Sequence, residues 1–173
     1  MIGKAVDLSV VEGDITEQRV DTVVNAANRR MRGGGGVDGA IHAAAGPGLY
    51  DECVQRFPDG LPTGEAGWTT GHRLPARWVI HVVGPNYTAG ETDRGLLVSC
   101  YRNALKVADE LGASSVAFPL VSAGIFGWPR EDAIAAAVDT LLDTSTSVRS
   151  ARLVAYGSRA YGEIAGYLKD RRS

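Results

Sequence analysis

Asn25 to Gly46, Asn-Ala-Ala-Asn-Arg-Arg-Met-Arg-Gly-Gly-Gly-Gly-Val-Asp-Gly-Ala-Ile-His-Ala-Ala-Ala-Gly, joins four consecutive glycines to a helix start. A short β-branched run, Thr22 to Asn25, leads through the four glycines Gly33 to Gly36 into apolar positions at Val37, Ile41, Ala44, Ala45 and Cys53. That spacing predicts a helix over 37–57. Strand, glycine loop and helix in this order leave unobstructed backbone N–H groups at a helix N-terminus, which is a site for an anion such as a diphosphate. Asn25 and Asn28 precede the glycines, and Asp38 and His42 follow them. These are groups that could hold a sugar and a water. Asp38 lies where a carboxylate also favours the helix dipole.

Working outward, strand-like and helix-like segments alternate. Ala5 to Val11 reads as a strand, Gly46-Pro47-Gly48 bends the first helix, and the turn-rich 58–64 ends it. Gly67 to Leu74 and Trp78 to Val83 are expected as strands flanking Leu74-Pro75-Ala76, which places His72 and His81 in strands. Leu96 to Leu111 is amphipathic and stops at Gly112. Ser115 to Leu120 reads as a central strand, 122–127 as a second glycine-rich loop, and Pro129 as the opening of another helix. Arg152 to Tyr156 and Glu163 to Leu168 close the chain as strand and helix. This alternation predicts an α/β fold, a largely parallel sheet in a three-layer α/β/α arrangement, with its ligand beyond the carboxyl ends of the strands.

At 173 residues one domain spanning 1–173 is expected. A net charge of -2 disfavours nucleic acid as a partner. Arg29, Arg30 and Arg32 are the best candidate for a basic patch, read here as a solvated rim beside the glycines. Cys53 and Cys100 fall on the apolar sides of predicted helices, which suits buried thiols and a reducing, cytoplasmic setting. No leader and no membrane span is read from the sequence. Neither glycine loop fits the G-x-x-x-x-G-K-[ST] pattern or a dinucleotide G-x-G-x-x-G after the first strand. Two such loops, each leading into a helix, imply one elongated anion gripped from two sides.

Val11-Glu12-Gly13-Asp14-Ile15-Thr16, Val24-Asn25-Ala26-Ala27-Asn28, Gly33 to His42, Thr63-Gly64-Glu65-Ala66, Val83-Gly84-Pro85 and Ser122 to Pro129 together resemble a macrodomain of the MacroD type, in order and over nearly the whole chain. The resemblance implies a mixed, largely parallel central sheet and a pocket for ADP-ribose. It further implies a hydrolase that removes mono-ADP-ribose from Glu or Asp side chains of modified proteins and deacetylates O-acetyl-ADP-ribose, with no cofactor and no metal. The alternative is a non-catalytic ADP-ribose reader.

Carried over by resemblance, Asp14 takes the adenine amino group, the Ile15 backbone lies beside the adenine, and Tyr156 packs against it. Without the resemblance, Asp14 reads as a turn cap and Tyr156 as a core or edge tyrosine. The first diphosphate loop is expected to act through Gly35, Gly36 and Val37. The second extends from Ser122, with Gly124, Ile125 and Gly127 offering N–H groups and Phe126 shaping the distal ribose pocket. Asn28 and Asp38 carry catalysis: the amide fixes ribose hydroxyls, and the carboxylate either deprotonates a water or positions one that a substrate phosphate activates. By themselves these two read as a turn residue and a helix cap. Asn25 and His42 support them, with His42 one helical turn after Asp38. Like charge from a diphosphate would raise the Asp38 pKa and the helix N-terminus would lower it.

Two rival chemistries lack residues. Lys4, Lys106 and Lys169 lie outside the loop motifs, and neither cysteine has the Cys/His company that zinc needs. Leu61-Pro62 and Gly157 depart from the family's usual pattern.

Overall fold

A computed structural model describes residues 4–173. In chain order the elements are β1 (Asp7–Glu12), β2 (Thr22–Ala27), α1 (Gly36–Ala45), α2 (Pro47–Arg56), β3 (Ala66–Thr70) and β4 (Trp78–Val83). Then come α3 (Arg94–Leu111), β5 (Ser115–Phe118), α4 (Arg130–Asp143), β6 (Ser150–Ala155) and α5 (Ser158–Arg172). One six-stranded sheet has the order β1-β6-β5-β2-β4-β3. All neighbouring strands run parallel except β3, which pairs antiparallel with β4. The expected mixed, largely parallel three-layer fold is therefore the one observed.

Alternation along the strands assigns the two faces. Val24, Ile80, Val82, Val116, Phe118, Ala151 and Leu153 turn to one side, where they join buried residues of α3, α4 and α5. Val23, Ala27, Val79, Val83, Ala117 and Val154 turn to the other and join Ile41, Ala45, Leu49 and Cys53 of α1 and α2. Asn25 and His81 share the parity of this second set. They stand opposite one another in the β2–β4 register, beneath α1.

Most boundaries shift by one or two residues, and three elements differ by more, each for a local reason. The predicted 37–57 helix is two helices, because Gly46 at φ +85° breaks it and Pro47 starts α2. The strand expected from Gly67 to Leu74 ends at Thr70: the Gly71 N–H bonds the Arg77 carbonyl, and His72 sits in the turn at φ +52°. That corrects the placement of His72, which instead meets Glu52 at 2.8 Å. α5 starts at Ser158 rather than near Glu163. Ile164 and Leu168 are its buried residues, too short a stripe to reveal its length.

α5 also provides a stability test. Gly162 and Gly166 are exposed helix residues, and a Cβ at either would meet nothing within 4 Å. Gly166→Ala is expected to stabilise the protein by about 0.5–1 kcal/mol, because alanine loses less backbone entropy on joining a helix. A rise in the urea midpoint at unchanged slope would show it.

Candidate functional site

The loops leaving β1, β2, β4, β5 and β6 meet at the carboxyl edge of the parallel strands. Between them lies a cavity of about 220 Å³, with Asn28, Gly34 to Asp38, Gly84, Ser122 and Gly124 to Phe126 on its walls. A second cavity of about 460 Å³, walled by Asp14, Ile15, Pro119, Val154 and Tyr156, shares Gly36 and Val37 with the first. The two form one elongated trough.

At the inner wall a short polar chain is built from strand register. Asp38, 4% exposed in the first turn of α1, is no helix cap: Gly35 occupies the N-cap position. Its Oδ1 accepts from Asn25 Nδ2 at 2.8 Å and lies 3.4 Å from His42 Nε2. The same Asn25 nitrogen lies 3.1 Å from His81 Nδ1, and His81 Nε2 lies 2.9 Å from Thr69 Oγ1. Burial pushes the His81 pKa down to about 3, so the ring is neutral. Because Asn25 donates to Nδ1, the remaining proton is on Nε2 and goes to Thr69. Burial raises the Asp38 pKa above the ordinary 3.8, against the opposing Asn25 bond and His42.

Thr69 therefore closes the chain. Thr69→Val keeps the shape but leaves a fully buried N–H with no acceptor, a cost of about 1–3 kcal/mol. Chemical denaturation should show that loss.

Asn28 is fixed by the turn it also shapes. Its Nδ2 donates to the Gly33 carbonyl at 3.1 Å, and its Oδ1 accepts from the Arg30 N–H at 3.1 Å. Gly34 lies between the two polar groups: a Cβ there would be 3.2 Å from Asn28 Nδ2 and 3.4 Å from Asp38 Oδ2.

Two sets of backbone N–H groups face the trough. Gly36, Val37 and Asp38 open α1 with no side-chain cap. On the other loop, the N–H groups of Gly124, Ile125 and Phe126 make no hydrogen bond among the described residues. Gly127 departs from the expectation: its N–H closes a turn onto the Gly124 carbonyl at 3.0 Å, while the Phe126 N–H stays uncommitted among the described residues. Ser122, at φ +65°, has a buried hydroxyl without a partner among the described residues. Ile125, 70% exposed, reaches across to the other loop, its Cδ1 lying 3.0 Å from where a Gly35 Cβ would stand. Paired sets of N–H groups across a narrow gap suit a diphosphate.

At the far end Asp14 does cap a turn, its Oδ1 accepting from both Thr16 N (2.9 Å) and Thr16 Oγ1 (2.7 Å). Oδ2 remains uncommitted among the described residues. Tyr156 is 91% exposed beside it, an aromatic face open to a planar ligand.

All the predicted site residues except Gly127 and the inner residues Asn25 and His42 line the trough. Sequence reasoning missed the part taken by His81 and Thr69. The available signal was the pairing of two parallel strands, which sets His81 beside Asn25. Burial pushes the thiols of Cys53 to about 11 and Cys100 to about 12, so neither is a thiolate near neutral pH. Among the described residues no group of three or more His, Cys, Asp or Glu could hold a metal ion, and no helix is long and apolar enough to cross a membrane.

Comparison with known proteins agrees with this geometry. Residues 24–137 match the family model described as Macro domain. A Macro domain-containing protein of Streptomyces coelicolor is 51% identical over 93% of this chain and 98% of its own. The protein named O-acetyl-ADP-ribose deacetylase of Escherichia fergusonii is 49% identical over 80% of each chain. Among solved structures, a glycine-to-valine variant of the Oceanobacillus iheyensis macrodomain with ADPR superposes at TM-score 0.90, with 38% identity over 99% of this chain and 98% of that one.

Proposed function

The chain belongs to the Macro domain family, and from that premise we propose that it is a metal-independent hydrolase that releases mono-ADP-ribose from Glu and Asp side chains and deacetylates O-acetyl-ADP-ribose. In this reading the adenine lies between Asp14, Ile15 and Tyr156. The diphosphate lies between the Gly35 to Val37 and Gly124 to Phe126 backbones. The distal ribose then reaches Asn28 and Phe126.

The observation that carries the enzymatic reading is Asp38. A cleft that only held a dianion would be weakened by a carboxylate at its inner wall, yet Asp38 is buried there at 4% exposure and held by Asn25. Its place suits a water acceptor. The water oxygen attacks the ester, the bond to the ribosyl oxygen or anomeric carbon breaks, and a carboxylic acid and a free ribose hydroxyl result. The water's proton passes to Asp38, or to a substrate phosphate oxygen while Asp38 holds the water, and then to the leaving oxygen. The name of the Escherichia fergusonii relative supports the deacetylase half.

The deciding experiment measures release of ADP-ribose from a glutamate-linked mono-ADP-ribosylated protein, with ADP-ribose affinity determined in parallel for wild type and Asn28→Ala. Turnover in wild type that falls by about 10²-fold or more in the variant, with affinity little changed, is the expected result. Binding without wild-type turnover would make the protein a reader.

A further inference from the structure

The trough does not stop at the reaction end. A further cavity of about 290 Å³ shares Asn28, Gly84 and Phe126 with the first and is walled beyond them by Arg29, Arg30, Thr63, Asn86 and Glu91. A shallower hollow of about 470 Å³ continues past it along Arg29, Arg30, Arg32, Asp59 and Gly60. An ADP-ribosyl group seated as above delivers its scissile bond at Asn28, so whatever is esterified to it enters this cavity.

The three arginines differ in what they are free to do. Arg29 is paired with Glu91, Nη1 to Oε2 at 2.7 Å, and Glu91 Oε1 in turn accepts from the Asn86 N–H. Arg32 donates to the carbonyls of Arg30, Met31, Cys53 and Pro58, which braces the turn. The Leu61 N–H fastens the same turn to the Arg29 carbonyl at 2.9 Å. Arg30 alone has a guanidinium with no partner among the described residues, while its own N–H is fixed by Asn28 Oδ1. On the same wall the Thr63 hydroxyl oxygen is buried and unpartnered among the described residues.

We propose that this cavity is an acceptor-side subsite for an acidic peptide, in which Arg30 pairs with a carboxylate flanking the modified residue and so favours acceptors in acidic sequence. The inference rests on the reading above for where the ADP-ribosyl group lies. A peptide suits the cavity better than a polynucleotide. One uncompensated guanidinium on a chain of net charge -2 pairs with a single carboxylate, whereas nucleic acid binding draws on several phosphate contacts at once. Arg30 is exposed with its backbone N–H anchored by Asn28, so its guanidinium is free to meet a carboxylate at the mouth of the cavity.

The test uses peptides carrying one ADP-ribosylated residue flanked by aspartates, by serines or by lysines, each as the ester and as an uncleavable amide-linked analogue. Wild type is expected to bind the acidic analogue about 3- to 10-fold more tightly than the lysine one, and Arg30→Glu to reverse that order. Ester cleavage should follow the same ranking. Affinity independent of the flanks would overturn the subsite, as would an Arg30→Glu variant that weakens all analogues equally. Tighter binding of an ADP-ribosylated oligonucleotide than of the acidic peptide would also overturn it, assigning the cavity to a polynucleotide. Flank-dependent affinity without ester cleavage would uphold the subsite while refuting the hydrolase, so the two failures are distinguishable.

Discussion

Asp38→Ala is expected to lower the rate of ADP-ribose release by about 10²–10⁴-fold, the range for loss of a positioned acid–base group, while leaving ADP-ribose affinity within a few fold. The asymmetry follows from geometry. In the proposed reading Asp38 offers the ligand no attraction, because the anion is assigned to the uncommitted backbone N–H groups of the two loops. Its carboxylate matters only when a water must be held or deprotonated. In wild type the rate should rise with pH as Asp38 loses its proton, through an inflection above 3.8, because burial favours the neutral acid. That inflection should vanish in the variant. Asp38→Asn separates the two proton routes: it retains an acceptor oxygen, so a substantial residual rate would mean that Asp38 positions the water and the substrate phosphate takes the proton. Unchanged turnover in Asp38→Ala would remove this residue from the mechanism.

Gly39→Ala is expected to weaken ADP-ribose binding about tenfold or more and to lower stability by about 1–3 kcal/mol. Intrinsic propensity predicts the opposite sign, since alanine in a helix is favoured over glycine by up to about 1 kcal/mol. Packing reverses it. A Cβ at Gly39 would stand 2.5 Å from the Gly34 carbonyl oxygen, and a rigid backbone atom cannot rotate away. Gly34 would shift, and with it the contact surfaces of Asn28 Nδ2 and Asp38 Oδ2 on either side. Gly166→Ala, with open space around it, is the matched control for propensity alone. Equal stabilisation by both substitutions would show that the glycine loop tolerates displacement.

Much of the site was legible because its parts are local. The glycines, Asn28 and Asp38 are close neighbours in sequence, and a loop that runs from a strand into a helix leaves few ways to arrange them. Tyr156 and Asp14 were legible only through resemblance, since an exposed tyrosine and a turn-capping aspartate carry no signal of a ligand by themselves. Gly127 was misread as a donor because a glycine loop does not reveal which of its N–H groups closes its own turn. His72 and His81 both read as histidines in strands. A tight turn at Gly71 took one out of the sheet, and the register with β2 buried the other against Asn25.

Periodicity and punctuation alone determined the alternation of strands and helices, and with it a parallel sheet whose loops converge at one edge. These are local properties: side-chain spacing selects the element, and glycine or proline ends it. Which of those loops touch is decided only by the tertiary structure. The contact of Ile125 with Gly35, the Asn25–His81 pairing, the Arg29–Glu91 pair and the bonds of Arg32 to Cys53 and Pro58 join residues that no spacing relates. So does the burial that raises the Asp38 pKa, because desolvation depends on everything packed around a group and not on its neighbours in the chain.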